Sequence, residues 1–201
     1  MRKYKAVVLA AGRSRRLGFD KLTVRINGES VIRRAVLPFV SAGIGEVFVV
    51  TGDDNMRIKN ELSDNDIIFI DNKDHLLGMS TSITAAIPFL KNARGVFFHL
   101  GDKPFLLDRT IRRMADVYED GAKGIVIPVF EHRKGHPILI DMEEYGDEMK
   151  FITGDKGLRE MIEKHSKDVI SIKGDEGSLF DLDTAQDIEF LIRRGYTVEE
   201  S

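Results

Sequence analysis

The chain has 201 residues and a formal net charge of −3, from 30 lysines and arginines against 33 aspartates and glutamates. This mild acidic balance argues against attraction of the whole molecule to nucleic acid, and the absence of cysteine excludes disulfides and cysteine-ligated zinc or iron–sulfur sites. Because no apolar run approaches the roughly 20 residues of a membrane span, we expect a cytoplasmic protein without membrane or nucleic-acid partners, formed by a single domain over 1–201.

Short apolar runs rich in Val, Ile and Phe predict strands buried on both faces, as in a mostly parallel sheet. In chain order these runs lie at 5–10, 46–52, 66–71, 95–101, 124–129 and 137–141. Helical patterns lie between the earlier runs, at 30–43, 55–63, 80–92 and 108–121. Ser80 or Thr81 is the expected N-cap of the third helix. The alternation predicts a three-layer α/β/α, Rossmann-like fold with right-handed crossovers.

After Pro128 the pattern is less regular. It predicts a strand or hairpin arm and then a short helix within 130–151, a helix at 156–165, a strand at 168–174 and a closing helix at 184–195. Thr184 and Asp187 have the spacing of a capping box at the start of that last helix.

The first strand is followed directly by the basic loop AAGRSRRLGFDK, at 10–21. It is neither a dinucleotide fingerprint nor a Walker A loop, since Lys21 does not follow a glycine. Its residue types nevertheless suit phosphates, because Gly12 permits close backbone approach and Arg16 and Lys21 supply positive charge. The alternative is a solvated basic surface loop, which the position directly after a strand disfavours.

Three acidic residues in two segments of the chain are candidates for a metal site. Asp102 follows the fourth strand, at the edge of the sheet where ligands of open α/β folds bind, and its alternative role is to cap a turn before Pro104. Asp181 and Asp183 follow an extended run near the C-terminus and are expected to point to the same side. One of them facing Asp102 would complete the site.

Six motifs in order resemble the nucleotidyltransferases that mature molybdenum cofactor. They extend from Ala6 to about Leu191 and read LAAGRSRRLGFDKL, GMSTSI, LGDKPFL, KGHPILI, TGDKGLREMI and FDLDTAQDI. The resemblance implies an enzyme that transfers a nucleoside monophosphate from a triphosphate to a phosphorylated acceptor and releases pyrophosphate. It also implies Mg²⁺ as cofactor, with Mn²⁺ as a substitute.

The resemblance assigns roles to individual residues. The nucleotide-binding set that it implies is Leu9, Ala10, Ala11, Gly12, Arg16, Lys21, Ser80 and Ser82. Arg16, Lys21 and Asp102 would be catalytic, and Asp102 with Asp183 would bind the metal. On the acceptor side it implies Gly135, His136, Pro137, Asp155 and Arg159, although His136 could also be a purely structural histidine.

Ala11-Gly12 resembles the cytidylyltransferase branch of the family, whereas the guanylyltransferase branch carries Gly-Gly there. A methyl group at Ala11 would narrow the pocket and favour a pyrimidine. The implied substrates are therefore CTP and a pterin-phosphate acceptor, with a molybdoenzyme as recipient of the product and a monomer or weak dimer as the assembly. A phosphate monoester is largely dianionic near neutral pH, so this chemistry needs no general base.

Alternatives remain open at this point. They are a guanylyltransferase of the same family, a cytidylyltransferase for sugar phosphates or isoprenoid precursors, and a non-catalytic nucleotide sensor or cofactor-insertion chaperone. Lys103 departs from the family pattern, in which an uncharged residue is more usual beside the metal ligand. Strand alternation predicts an outward and harmless Lys103, whereas an inward side chain would repel the metal or replace part of its charge.

Overall fold

The computed structural model describes residues 3–12, 19–52, 56–119, 121 and 124–200. Within these ranges, eight strands form one sheet. They are β1 (Tyr4–Ala10), β4 (Glu46–Thr51), β5 (Ile67–Asp71), β6 (Gly95–Leu100), β7 (Ile125–Phe130), β8 (Arg133–Lys134), β9 (Ile138–Asp141) and β10 (Val169–Lys173). A small antiparallel sheet contains β2 (Arg25–Ile26), β3 (Glu29–Ser30) and β11 (Val198–Glu199).

The strand order of the large sheet is β10-β7-β9-β6-β1-β4-β5, with β8 paired to β7. The pairings of β8 with β7 and of β9 with β6 and β7 are antiparallel, and the other pairings in this sheet are parallel. The prediction of a mostly parallel sheet is thus confirmed. Because β9 runs against its neighbours, the segment before β9 lies at the edge where β1 and β6 end.

Helices cover both faces of the large sheet. The α-helices are α1 (Val31–Ala42), α2 (Met56–Glu61), α3 (Met79–Ala86), α4 (Asp108–Glu119), α5 (Met142–Tyr145), α6 (Arg159–Lys164) and α7 (Ala185–Arg193). Short 3₁₀ helices lie at His75–Leu77, Ile87–Phe89, Glu148–Phe151, Ser166–Asp168 and Glu176–Ser178. No helix in the described ranges is long and apolar enough to cross a membrane.

The alternating residues of β1 separate two apolar cores. Ala6 and Val8 pack in the core that contains α1 and α4, whereas Val7 packs in the core that contains α3 and α6. Both faces of the sheet are therefore buried, as the lack of alternation in the sequence predicted. This layering confirms the expected α/β/α arrangement.

The expected N-cap of the third helix is wrong. Helix α3 begins at Met79, and neither Ser80 nor Thr81 caps it. Instead Asp155, from a loop distant in the chain, accepts a hydrogen bond from the Met79 N–H at 3.1 Å, and the Gly154 carbonyl accepts one from the Ser80 N–H at 3.2 Å. Gly78 permits this contact, because a Cβ there would lie 2.7 Å from the Gly154 oxygen and its φ is +116°.

The capping box at the last helix is confirmed. At the start of α7, the Thr184 side chain accepts a hydrogen bond from the Asp187 N–H, and the Asp187 carboxylate accepts one from the Thr184 N–H. Asp187 also accepts a hydrogen bond from the Asp183 N–H at 3.0 Å. This cap therefore fixes the backbone of an acidic residue predicted to bind metal.

Candidate functional site

Three distant parts of the chain meet at the edge where β1 and β6 end. The Lys21 ammonium lies 2.6 Å from Oδ2 of Asp102 and 3.1 Å from Oδ1 of Asp183. The basic loop after β1, the turn after β6 and the segment before α7 supply these three side chains. As expected, Asp102 therefore lies near one of the two C-terminal aspartates, and Lys21 bridges the two carboxylates.

Lys21 is buried, with 8% of its surface exposed. Burial alone would lower the pKa of Lys21, but the charges and hydrogen bonds of Asp102 and Asp183 outweigh it and raise the pKa above its usual value. The lysine consequently keeps its positive charge at neutral pH. A fixed cation at this edge is suited to a polyanionic ligand such as a polyphosphate.

Backbone contacts fix the positions of the two carboxylates. The Leu182 N–H donates to the Asp102 carbonyl at 2.9 Å, and the Leu182 side chain is fully buried. Oδ1 of Asp102 is buried and has no hydrogen-bond partner among the described residues. An unsatisfied buried carboxylate oxygen is costly in the free protein, and a hard cation would satisfy it.

These carboxylates could hold a metal only together with a ligand. In the described ranges, no group of three or more His, Cys, Asp or Glu side chains is arranged to hold a metal ion. Mg²⁺ is commonly held by one or two carboxylates plus substrate phosphates and waters. The Asp102–Asp183 pair fits this second kind of site.

A cavity of about 510 Å³ opens beside the basic loop, and we name it the Ala11 cavity. Its wall combines the backbone after β1 with the segment that precedes α3. It is lined by Leu9, Ala11, Gly12, His75, Leu76, Leu77, Gly78, Met79, Ser82, Leu100, Asp102 and Asp155. A Cβ at Gly12 would meet no described atom within 4 Å, so a ligand can approach this backbone closely.

A second cavity of about 510 Å³ adjoins the first, and we name it the His136 cavity. Leu9, Met79 and Leu100 line both cavities. The remaining wall is mostly apolar, with several charged residues. It comprises Ile83, Phe98, His99, Ile127, Lys134, Gly135, His136, Ile138, Lys156, Leu158, Arg159, Ile162 and Glu163. Two ligands bound in these cavities would lie next to each other.

Two histidines of the His136 cavity are neutral. Burial, and then the charge of Lys103, lower the pKa of His136 to about 4. Burial, and then the neighbouring His136, lower the pKa of His99 well below its usual value. Nε2 of His99 lies 3.2 Å from the Lys103 carbonyl, which can only accept, so Nε2 carries the ring proton.

Lys103 is not outward, contrary to the expectation from strand alternation. The side chain is buried, and its ammonium donates to the Leu179 carbonyl at 2.7 Å. The reason is that β6 ends at Leu100 and the chain turns there, with the Lys103 N–H donating to the Leu100 carbonyl. Burial lowers the pKa of Lys103, although Asp181 and Asp102 act in the opposite direction.

The other residues predicted from the sequence have these positions. Arg16 lies outside the described residues. Ala10 and Ser80 are buried and line neither cavity, whereas Ser82 lines the Ala11 cavity. Asp155, which the resemblance places on the acceptor side, lines the Ala11 cavity instead.

The GHP segment reaches the second cavity. Gly135 and His136 line it, and Pro137 follows through a cis peptide bond without contributing to the lining. A Cβ at Gly135 would lie 2.7 Å from the Ser178 carbonyl oxygen, so glycine is required for this close approach. Arg159 lines the same cavity.

Sequence reasoning missed two residues of the site. His99 is a polar residue inside the apolar run GVFFHLG, and that interruption was the available signal. Asn72 is buried, and its amide donates to Thr81 at 2.9 Å and to Ser82 at 3.0 Å. Asn72 thereby fixes the start of α3 beside the Ala11 cavity, which no local pattern indicates.

Comparison with known proteins identifies the family. Residues 6–169 match the family described as MobA-like NTP transferase domain. Molybdenum cofactor cytidylyltransferase from Escherichia coli K12 is 28% identical over 138 residues, which cover 67% of this chain and 68% of that protein. A probable molybdenum cofactor guanylyltransferase from Natranaerobius thermophilus is 30% identical over 130 residues, covering 62% and 59%.

Other relatives share part of the sequence or only the fold. The bifunctional protein GlmU from Clostridium kluyveri is 32% identical over 127 residues, covering 61% of this chain but only 27% of that protein. The crystal structure of Rv0371c from Mycobacterium tuberculosis H37Rv has a TM-score of 0.80 at 24% identity, covering 94% of this chain and 97% of that one. A second structure of Rv0371c, a complex with manganese, has a TM-score of 0.74.

The family match covers β1 through the start of β10, and therefore both cavities and Asp102. It confirms the resemblance that the sequence motifs indicated. The chain belongs to the MobA-like NTP transferase family.

Proposed function

We propose that this protein, as a single domain over 1–201, transfers CMP from CTP to the terminal phosphate of molybdopterin and releases pyrophosphate. The observation that carries the proposal is the pair of adjoining cavities, which share Leu9, Met79 and Leu100 and have Asp102 in the wall of one. A group transfer between two bound substrates requires this kind of juxtaposition. Similarity to a molybdenum cofactor cytidylyltransferase supports the choice of substrates.

The Ala11 cavity is the proposed CTP site. Backbone from Leu9 to Gly12 would contact the base, and Lys21 would contact the phosphates together with Arg16. The Ala11 side chain contributes to the cavity wall, and its methyl group would favour the smaller pyrimidine ring. Lys21 supports this assignment because its raised pKa keeps it charged next to the triphosphate.

The His136 cavity is the proposed acceptor site. Its wall contains Phe98, Ile127 and Ile138, which suit the flat apolar faces of a heterocycle such as a pterin. Lys134 and Arg159 add positive charge for the acceptor phosphate. A sugar phosphate, which carries hydroxyl groups around its ring, fits this mostly apolar lining less well.

Asp102 and Asp183 are the proposed ligands of Mg²⁺, with Mn²⁺ as a substitute. The unpartnered Oδ1 of Asp102 is a suitable donor for such a hard cation. When bound, the cation would offset negative charge on the phosphate oxygens of the nucleotide. The manganese complex of the structural relative Rv0371c supports a divalent cation on this fold.

The reaction needs little more from the protein than alignment and charge. An oxygen of the acceptor phosphate forms a bond to the α-phosphorus of CTP, the bond to the β-phosphate breaks, and pyrophosphate leaves. The acceptor phosphate is already largely dianionic near neutral pH, so no side chain has to remove a proton. Lys21 would stabilise the charge that grows on the departing pyrophosphate. We place the protein in the cytoplasm, with a molybdoenzyme as recipient of the product.

Pyrophosphate release tests this proposal. The protein is incubated with Mg²⁺ and each of CTP, GTP, ATP and UTP, with and without molybdopterin. We expect release with CTP only, and only when the pterin is present. Preference for GTP would establish the guanylyltransferase alternative, and nucleotide binding without release in any mixture would establish a sensor.

A further inference from the structure

Lys103 has no role in the proposed function, yet it is a buried cation next to the metal pair. Its side chain is 7% exposed, and its ammonium lies 2.7 Å from the Leu179 carbonyl and 3.9 Å from Oδ2 of Asp181. Burying an ammonium is costly unless the protein provides partners for it. Here both partners belong to one short segment, Leu179 to Asp183.

Each of the two lysines at this edge pairs with different carboxylates. Lys21 contacts Asp102 and Asp183, whereas Lys103 pairs with Asp181. Asp181 and Asp183 lie only two positions apart and have the same chemistry. Which of them faces Asp102 is therefore decided by the conformation of the segment that carries both.

Hydrogen bonds to the turn after β6 hold that conformation. The residues from Phe180 to Asp183 lie in neither a helix nor a strand. The Asp102 carbonyl accepts from the Leu182 N–H at 2.9 Å, and Lys103 holds the Leu179 carbonyl three positions earlier. Two consecutive residues of the turn thus hold the segment at Leu179 and at Leu182, directly before Asp183.

We propose that Lys103 is a positioning residue that holds the Leu179–Asp183 segment so that Asp183, and not Asp181, faces Asp102 in the cation site. This inference rests on the proposed function, which makes Asp102 and Asp183 the ligands of the divalent cation. Lys103 does not touch the cation or the substrates. It acts through Asp183.

Binding of Mn²⁺ tests the inference without relying on turnover. Mn²⁺ affinity is measured by electron paramagnetic resonance on the whole protein bound to a non-hydrolysable CTP analogue. The variants are Lys103→Met, Asp183→Asn, the double variant and Asp102→Asn, and Lys173→Met removes an exposed lysine on β10 as the matched control. Thermal unfolding of each variant, and its analogue affinity in EDTA, show whether the fold and the nucleotide site are intact.

We expect Lys103→Met to weaken Mn²⁺ binding about tenfold, the lower end of the loss seen when a residue that orients a metal ligand is removed. Analogue affinity in EDTA should not change, and Lys173→Met should match wild type. The double variant should bind Mn²⁺ no more weakly than Asp183→Asn, because both changes act on the same ligand. If Lys103→Met does not fold, Lys103→Gln is measured in its place, with the same expectation.

Two results would overturn the inference while leaving the proposed function intact. One is wild-type Mn²⁺ affinity in Lys103→Met when Asp183→Asn and Asp102→Asn are weakened. The other is full additivity in the double variant. Wild-type Mn²⁺ affinity in Asp102→Asn would instead refute the metal site of the proposed function itself.

Discussion

The Asp155 carboxylate accepts a hydrogen bond from the backbone N–H of Met79 at 3.1 Å, across 76 positions of the chain. Met79 lines both cavities, and Asp155 lines the Ala11 cavity. The contact therefore connects the loop before α6 to the first turn of α3 at the wall that the two cavities share.

Loss of this contact should affect both stability and substrate binding. Asp155→Ala leaves the Met79 N–H without its acceptor and should cost about 1 kcal/mol of unfolding free energy, as the loss of an N-cap does. KM for CTP should rise as well, because the shared wall loosens. Urea unfolding and steady-state kinetics measure the two effects. Asp155→Asn retains an acceptor oxygen and should recover most of both, so equal effects in the two variants would contradict this role.

Lys21 and Asp102 should each be needed for turnover but not for folding. Lys21→Ala and Asp102→Asn should each lower kcat by roughly a hundredfold or more, the usual cost of removing one group that stabilises transition-state charge. Pyrophosphate release under saturating CTP measures this, with Lys173→Met as control and circular dichroism to verify the fold. Near-wild-type turnover in both variants would refute the site.

Gly12 tests whether a ligand approaches the backbone after β1. A methyl group at this position would meet no described atom within 4 Å, so Gly12→Ala should leave the melting temperature unchanged. It should weaken CTP binding about tenfold, which corresponds to about 1.4 kcal/mol. Calorimetric titration measures the affinity. Unchanged affinity would show that the nucleotide lies elsewhere.

Arg159 should act on the acceptor only. It lines the His136 cavity and not the Ala11 cavity. Arg159→Ala should raise KM for the pterin acceptor about tenfold, since a hydrogen bond to a charged group contributes roughly 1.5–3 kcal/mol. KM for CTP should stay at its wild-type value, and Lys173→Met, which removes an exposed lysine that lines neither cavity, should leave both KM values unchanged. A rise in KM for CTP alone would show that the assignment of CTP and acceptor to the two cavities is reversed.

The buried histidines should make the fold sensitive to mild acid. The pKa of His136 is lowered to about 4, and that of His99 is also lowered, so the unfolded chain binds more protons than the native protein below about pH 6.5. The contribution of these two histidines to the unfolding free energy should be fully present above pH 6.5 and should decrease as the pH falls toward 4. At pH 5.5 the lowered pKa of His136 should cost roughly 1.4 kcal/mol of unfolding free energy relative to pH 7.5, and the lowered pKa of His99 acts in the same direction.

Urea unfolding at pH 7.5 and 5.5 measures this dependence. His99→Leu should reduce the difference in unfolding free energy between the two pH values, because one of the two histidines with a lowered pKa is gone. An unchanged difference in that variant would assign the pH dependence to other groups.

Local sequence patterns predicted most helices and the seven longer strands of the large sheet, because most of these strands are continuous apolar runs. The two-residue strands β2, β3 and β11 contain no such run and were not predicted. The direction of β9 was not predictable, since a buried apolar strand of four residues has the same hydrophobic pattern whether it is parallel or antiparallel to its neighbours. The start of α3 was not predictable either, because its acceptor, Asp155, lies far away in the chain.

The candidate site was predictable to a similar extent. The meeting of Asp102 with a C-terminal aspartate followed from the order of the motifs and from the rule that ligands bind where parallel strands end. Strand alternation predicts the wrong side for Lys103, because β6 ends at Leu100 and alternation does not apply beyond it. His99 was missed because a histidine within a buried strand is usually only a core residue.

The reversed direction of β9 has a consequence for how acceptor choice can diverge in this fold. The turn between β8 and β9 contains Gly135 and His136 and borders the His136 cavity. The Ala11 cavity is instead lined by the loop after β1, the turn after β6, the segment before α3 and Asp155. A longer or shorter turn would remodel one substrate's wall without altering the register of the parallel strands. Proteins of this fold that share one nucleotide site could thus come to bind different acceptors through small insertions at a single hairpin.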